Sequence, residues 1–450
     1  ALGLSNKFSK NDDLSLATIY NNIGLCYKAI SDYQNAEESF DNSTAIYKKL
    51  KLDFVPDYTN SLSNKADLYR ILGRYKPAFD LLLEVIEIRK NSVGTKHVNY
   101  ANALSNMALV HIDQYDYDGG EKYLLEAKEI YKEVLGEYHP YYANCINSLG
   151  TVYAEQKRYK EAETIKLRSL EIMKQMTGEE NERYAYFLRS LGIVYFRQDK
   201  FKQAIECIEK SNAILKNKFG EKHIDYTDGV YNLAVVKWKM NDFQNSKGLF
   251  IQSLDNYKEQ FDKFFESMSE DEQNSYYQML EGRFDEFTSF VFAYIKAFPK
   301  ENHNNLLTTC FDYQLFIKSL PLNRSINTRK TILSSNDTAL VNTYNKWLNT
   351  KQLLSGAFRD LDFQKSYWNM ADLEQQSVKL EQQLKSKTNL FTEKKQVTFK
   401  NIKDKLQNNE AAISILRRLN NTSDTSSTLE YVALFINKNS PAPIAVTFKN

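Results

Sequence analysis

Along the first 260 positions, apolar and small residues return with a helical spacing that is itself repeated. A small residue opens the pattern at Gly24, Ala66, Ala108, Gly150, Gly192 and Ala234, each 42 positions after the last. Three residues later stand Tyr27, Tyr69, His111, Tyr153, Tyr195 and Lys237, with Trp238 beside the final, divergent slot. Ala36, Ala78, Gly120, Ala162, Ala204 and Ser246 follow each small residue by twelve. Such spacing suits two helices that cross closely. Within one unit Ala143, Ile146, Gly150 and Tyr153 share a face of a first helix, and Ala162, Ile165, Ser169, Ile172 and Met176 share a face of a second. The period predicts helical hairpins that bury their apolar faces only by stacking, hence a right-handed α-solenoid superhelix with a concave side.

Punctuation keeps the same count. Gly94, Gly136, Gly178 and Gly220 are 42 apart and each follows an apolar-periodic segment, as helix-ending glycines do. His97, His139 and His223 share a slot just beyond; on separate hairpins they are expected to cap and pack turns, not to converge on a metal. Pro56 and Pro140 are assigned to equivalent inter-repeat turns, and Pro77 to the first turn of a second helix. Gly119-Gly120 lacks a phosphate-loop lysine and is read as a helix–helix turn.

After Phe265 the period stops while the helical spacing continues. Ser269-Glu270-Asp271-Glu272 forms a capping box ahead of an amphipathic run to Phe298, stopped by Pro299. A further helix is predicted from about Asn305 to Leu320, before Pro321, and others near 337–357 and 370–388, the last carrying Leu373, Leu380 and Leu384. From about residue 409 the texture changes to short β-type runs, Ala411 to Leu416, Tyr431 to Asn437 and Ile444 to Phe448. The predicted fold is mainly α: about six 42-residue hairpins over 10–266, a helical connector over 267–408, and the first strands of an α/β domain over 409–450. Opening on Ala1 instead of Met, the chain is expected to start within a longer protein.

Segments such as Gly136-Glu137-Tyr138-His139-Pro140 and Asn147-Ser148-Leu149-Gly150-Thr151-Val152-Tyr153 resemble tetratricopeptide repeats of the 42-residue variety known from kinesin light chains, over roughly residues 10–262. That resemblance implies a protein-binding array. The order of later elements resembles proteins in which such repeats precede a CHAT domain, a caspase-like cysteine peptidase module. Its carriers are the run Phe311-Asp312-Tyr313-Gln314-Leu315-Phe316-Ile317-Lys318-Ser319-Leu320, then Arg329, Ile332-Leu333-Ser334, Tyr344-Asn345-Lys346-Trp347, the leucine-rich helix at 373–384, Ile402 to Leu406, and the first two strands. A peptidase of that kind needs a histidine base and a cysteine nucleophile at strand ends. Here the last histidine is His303 and the last cysteine Cys310, both ahead of the first strand, so no catalytic residue is assigned. The two are read as a loop histidine and a buried helical cysteine. Related repeat–CHAT proteins serve in bacterial defence, sometimes beside RNA-guided effectors, which adds a larger effector complex to the expected partners. Two other classes stay open: a non-enzymatic adaptor scaffold, and the sensor part of a signalling kinase or transcription regulator.

Composition narrows the partners. Lys plus Arg (59) balances Asp plus Glu (57) without long runs of one sign, so nucleic acid is not expected as a direct ligand. Cys26, Cys145, Cys207 and Cys310 stand far apart, with neither disulfide-framework nor metal spacing, which points to a reducing, cytoplasmic setting and no metal. No stretch approaches a membrane span, and no cofactor fingerprint is present. The expected ligand is a protein or peptide in the concave groove, which the first helix of each hairpin lines in arrays of this kind. Counted from the small residue, the inward positions are Asn21, Ser63, Ser105, Asn147, Arg189 and Tyr231, with Lys28, Arg70, Arg197, Trp238 and Lys239. Amides bond an extended backbone, and Arg and Trp anchor it. The competing account is a solvated groove whose asparagines only brace neighbouring helices.

Overall fold

The computed structural model describes residues 10–29, 32–264, 270–335, 337–357, 373, 376–377, 379–380, 383–384, 397–421 and 427–447. It divides into two compact units, Ala1–Ser275 and Tyr276–Asn450.

Among the described residues of the first unit, helices pair into six hairpins. These are α1 (Lys10–Ala29) with α2 (Tyr33–Lys49), α3 (Pro56–Ile71) with α4 (Tyr75–Val93), and α5 (Val98–Asp113) with α6 (Tyr117–Leu135). Then come α7 (Pro140–Glu155) with α8 (Tyr159–Thr177), α9 (Glu182–Arg197) with α10 (Phe201–Phe219), and α11 (Ile224–Lys239) with α12 (Phe243–Phe264). Each helix packs on the next, and first helices also meet at α1–α3, α3–α5, α7–α9 and α9–α11, the nearest-neighbour stacking of a solenoid. Small residues sit where first and second helices cross: a Cβ at Gly150 would lie 2.7 Å from Lys166 Cγ, and one at Gly192 2.9 Å from Ile208 Cγ1. On α8 the apolar face ends at the fully buried Met173, while Met176, in the last turn, is 48% exposed.

Two kinds of turn alternate. Within hairpins, one residue takes a left-handed conformation: Gly73, Tyr115, Lys157, Asp199 and Asn241, with φ of 72°, 61°, 63°, 57° and 64°. Only one is glycine, and each of the others costs about 1–2 kcal/mol, offset by bonds such as Arg158 N–H to Tyr153 O at 2.8 Å. Between hairpins, Gly94, Gly136, Gly178 and Gly220 adopt φ of 80–84° with ψ of 166–170°, a region open essentially to glycine alone. The next helix is then capped by histidine: Nδ1 of His97, His139 and His223 accepts a backbone N–H two residues on, at 3.1, 3.1 and 3.3 Å. Asn181 Oδ1 does the same for Arg183 N–H at 2.8 Å.

Two sequence assignments move. Pro56 and Pro140 are the first residues of α3 and α7, not turn residues, because a helix start has no use for their missing N–H. Gly119 and Gly120 lie inside the first turn of α6, where a Cβ at Gly120 would meet Ile112 Cγ1 at 2.9 Å, so close helix crossing and not a turn explains the pair.

The second unit contains most of α13 (Glu270–Ala297), then α14 (Asn304–Leu333), α15 (Thr338–Ala357) and α16 (Phe399–Lys405). An antiparallel sheet follows in the order β1 (Ala411–Asn421), β2 (Ser427–Asn437), β3 (Ile444–Thr447). Aromatic contacts join α13 to α14: Phe284 and Phe287 meet Tyr313 edge-on at centroid distances of 5.1 and 5.5 Å. Helix α14 continues through Pro321, where the sequence predicts a stop. A proline there removes one backbone bond and bends a helix without having to end it. Phe399 N–H donates to Asp312 Oδ1 at 2.6 Å, and Lys318 Nζ donates to Ser414 Oγ at 2.9 Å and Ile415 O at 2.6 Å, fastening α16 and β1 to α14. Most of the 370–388 run lies outside the described residues, although Leu384 is buried with Ile332, Leu340 and Tyr344. Among the described residues no helix is long and apolar enough to cross a membrane. The fold is thus mainly helical, a repeat solenoid followed by helices and a small antiparallel sheet.

Candidate binding groove on the first helices

A 42-residue period stacks equivalent side chains into ladders. Asn60, Asn102 and Asn144 form one, and Asn64, Asn106 and Ser148 another. Together with Asn21, Ser63, Ser105, Arg89, Tyr131 and Tyr141 they line a cavity of about 470 Å³ formed mainly by α1, α3, α5 and α7. Second helices reach up from below: Tyr131 OH donates to Asn102 Oδ1 at 2.6 Å, and Arg89 Nη2 donates to Asn60 Oδ1 at 2.8 Å. Asn64 Nδ2 donates to Asn21 Oδ1 at 2.9 Å across successive repeats. Among the described residues, the side chains of Asn106, Asn144 and Ser148 have no hydrogen-bond partner. Each amide therefore presents a carbonyl oxygen and an NH2 group to whatever enters, the complement of a peptide backbone.

Of the residues proposed from sequence, Asn21, Ser63 and Ser105 line this cavity. The others lie elsewhere. Lys28 pairs with Asp67 at 2.6 Å, Arg70 with Asp113 at 2.5 Å and Arg197 with Glu155 at 2.6 Å, each pair linking successive first helices, while Arg70 also pairs with Asp67 of its own helix at 2.9 Å. Asn147 offers its backbone and side-chain oxygens to Lys166 Nζ at 2.9 and 3.3 Å. Arg189 Nη1 donates to Asp225 O at 2.6 Å. Tyr231 packs on Phe250 and Tyr257, Trp238 on Phe250, and Lys239 Nζ sits 4.4 Å from the Trp238 ring centre. The unassigned ladder residues Asn60, Asn102, Asn144, Asn64 and Asn106 carried a legible signal, recurrence six and two positions before the small residue.

Among the described residues, two cations are buried beneath the first helices without a carboxylate. Arg89, 3% exposed, donates to Thr59 Oγ1 at 3.0 Å, Asn60 Oδ1 at 2.8 Å and Asn99 O at 2.7 Å, and burial draws its pKa down to about 10. Lys166, 2% exposed, donates to Asn147, to Thr151 Oγ1 at 2.9 Å and to Ser190 Oγ at 2.5 Å; burial first, and Arg197 second, lower its pKa to about 7. Cys145, Cys207 and Cys310 offer no activated thiolate: burial pushes Cys145 and Cys310 up to about 12 and Cys207 up to about 11. Cys310 Sγ lies 3.7 Å from Thr288 Oγ1. Among the described residues no three His, Cys, Asp or Glu side chains are grouped to hold a metal.

The tetratricopeptide repeat family model matches residues 15–91 and 99–175. No curated protein matches the chain. Among solved structures, BtubC (BKLC) from P. vanneervenii is similar at 19% identity, over 51% of this chain and 92% of that one, with a TM-score of 0.43. A Rap protein complexed with competence and sporulation factor is similar at 12% identity, over 59% of this chain and 74% of that one, with a TM-score of 0.44. With the first four hairpins matched by the family model, the chain carries tetratricopeptide repeats.

Proposed function

We propose that the chain is a protein-binding array whose first-helix groove holds an extended segment of a partner polypeptide. The observation that carries this is the asparagine ladder of α3, α5 and α7, whose unpaired members Asn106 and Asn144 open into the cavity. Bracing of neighbouring helices accounts for Asn64 and Asn21, which bond each other, but not for those two. Panning a displayed random-peptide library against the chain tests the groove. Replacing Asn106 and Asn144 together by Ala is expected to weaken the selected peptides about tenfold, at roughly 0.5–1.5 kcal/mol per lost bond. Equal affinity for the double variant, with its helical circular dichroism intact, rejects the groove as the site.

We further infer that the array is the recognition portion of a CHAT-type, caspase-like cysteine peptidase that works in the cytoplasm, within a larger effector complex. What supports this is that connector residues carrying that resemblance fasten α14 to α16 and to the sheet: Phe311 packs edge-on against Phe399 of α16, Asp312 accepts the Phe399 N–H, and Lys318 holds β1. The strands β1 to β3 contain no histidine or cysteine, so no base or nucleophile is assigned to them. Treating the parent protein, with its partner bound, with a peptidyl acyloxymethyl ketone is expected to label one cysteine. Absence of labelling favours the adaptor reading.

A further inference from the structure

We propose that Arg89 is a carboxylate-reading subsite in the floor of the groove, so that the bound peptide presents an acidic group over the second repeat. This rests on the groove reading above and names the ligand chemistry it selects.

The six repeats provide an internal control. The slot of Arg89 holds Tyr47, Arg89, Tyr131, Met173, Leu215 and Tyr257, none more than 3% exposed. Where it is tyrosine, the hydroxyl meets the residue 29 positions earlier on its own first helix: Thr18, Asn102 and Asp228. Arg89 makes the same reach to Asn60. A neutral phenol performs that task in three repeats, so the fold has no need of a cation there. Arginine adds a full charge, and its acceptors Thr59, Asn60 and Asn99 O are all neutral; among the described residues no carboxylate bears on it. A buried charge without a counter-charge is unfavourable. A guanidinium has five N–H donors in a fork that fits a carboxylate, and three are engaged within the protein. The side chain also borders the cavity, alongside Asn60, Asn102, Tyr131 and Tyr141, so a ligand in the groove can supply the missing anion. Either an Asp or Glu side chain or the peptide's own carboxyl end has the right chemistry.

Two displayed libraries separate those sources: random nonamers fused through their carboxyl ends, and nonamers with free carboxyl ends encoded without Asp or Glu. Each is panned against the chain and against Arg89→Tyr, which installs the residue of repeats one, three and six, and Arg89→Lys. The expected result is enrichment of an acidic residue at one position of the first library, or of binders in the second. Affinity should fall about tenfold in Arg89→Tyr and recover partly in Arg89→Lys. Binders without acidic preference, or bound equally by Arg89→Tyr, overturn the subsite and leave groove binding standing; no binders from either library overturn both. If Arg89→Tyr fails to fold, a Glu→Gln exchange in the selected peptide, or amidation of its end, reads the same contact on the unaltered chain, and no loss of affinity overturns the proposal.

Discussion

The first helices of repeats one to four and those of repeats five and six share a backbone and differ in what their polar side chains face. On α3, α5 and α7 the ladder is Asn60, Asn102 and Asn144, and it borders a cavity; Asn60 and Asn102 each accept an internal bond at Oδ1, while Asn144 has no side-chain partner among the described residues. On α9 and α11 the same positions are Tyr186 and Asp228, and both are satisfied within the protein. Tyr186 OH donates to Asp225 Oδ2 at 2.8 Å, Arg189 binds the Asp225 carbonyl, and Asp228 accepts from Tyr257 OH. A polar group paired internally contributes to stacking, and one left open is available to a ligand. Fold alone therefore does not locate a binding face; the inventory of unpaired groups on it does.

Lys166 stands where the two regions join, and it offers the largest effect. Its slot is otherwise apolar: Phe40, Leu82, Leu124, Ile208 and Phe250. Its ammonium bridges α7 to α9 through Asn147, Thr151 and Ser190, with Arg197 as the charged group bearing on it. Its pKa falls from 10.5 to about 7 on folding, so between those values the unfolded chain holds a proton that the folded chain lacks. Stability from this group therefore rises with pH across that window, and the full penalty is present below pH 7. At 1.36 kcal/mol per unit, the fall from 10.5 to about 7 amounts to roughly 5 kcal/mol over the whole window. Urea unfolding of Lys166→Met should show a gain over the natural chain at pH 6 that shrinks by pH 9. A gain independent of pH would mean the lysine does not titrate on folding.

Next in size is a contrast in binding. Asn106→Ala with Asn144→Ala should weaken a selected peptide by about 1–3 kcal/mol, taking roughly 0.5–1.5 per lost hydrogen bond. Arg189→Ala, whose partner is Asp225, should leave that affinity within about twofold while lowering the urea midpoint. Equal losses of affinity would abolish the distinction between the two regions.

Much of the helical frame was legible because its signals are local and repeated. Glycine at Gly94, Gly136, Gly178 and Gly220 marks a conformation closed to other residues, and His97, His139 and His223 mark the caps that follow. The within-hairpin turns were not marked, since Tyr115, Lys157, Asp199 and Asn241 hold a left-handed conformation through tertiary context. For the groove, a period says which residues share a face but not which are already bonded. Lys28, Arg70 and Arg197 have the character of ligand anchors and are engaged by carboxylates of neighbouring helices. Arg89 and Lys166 escaped notice for the opposite reason, as charged residues in slots whose burial only the packing reveals.

Backbone changes should affect both regions alike. Gly136→Ala and Gly220→Ala place a Cβ in open space, so each should cost only the backbone strain, about 1–3 kcal/mol. Thermal melts showing one far more damaging than the other would mean the regions differ in more than side chains.

The smallest effect concerns the staples between first helices. Arg197 makes a two-point contact with Glu155, with Nη2 at 2.6 Å and Nη1 at 2.8 Å, yet both side chains keep about a third of their surface in water. Solvent screening limits such a pair to roughly 0.2–1 kcal/mol. Arg70, joining Asp67 and Asp113 at once, is less exposed, so Arg70→Ala should cost more than Arg197→Ala. A double-mutant cycle of Arg197 with Glu155 in low and high salt checks this: coupling should be below about 1 kcal/mol and shrink as salt rises. Larger, salt-insensitive coupling would mean that the second region is held together by its ion pairs as well as by its aromatic packing, and the contrast with the amide-lined region would have to be redrawn as charge against amide.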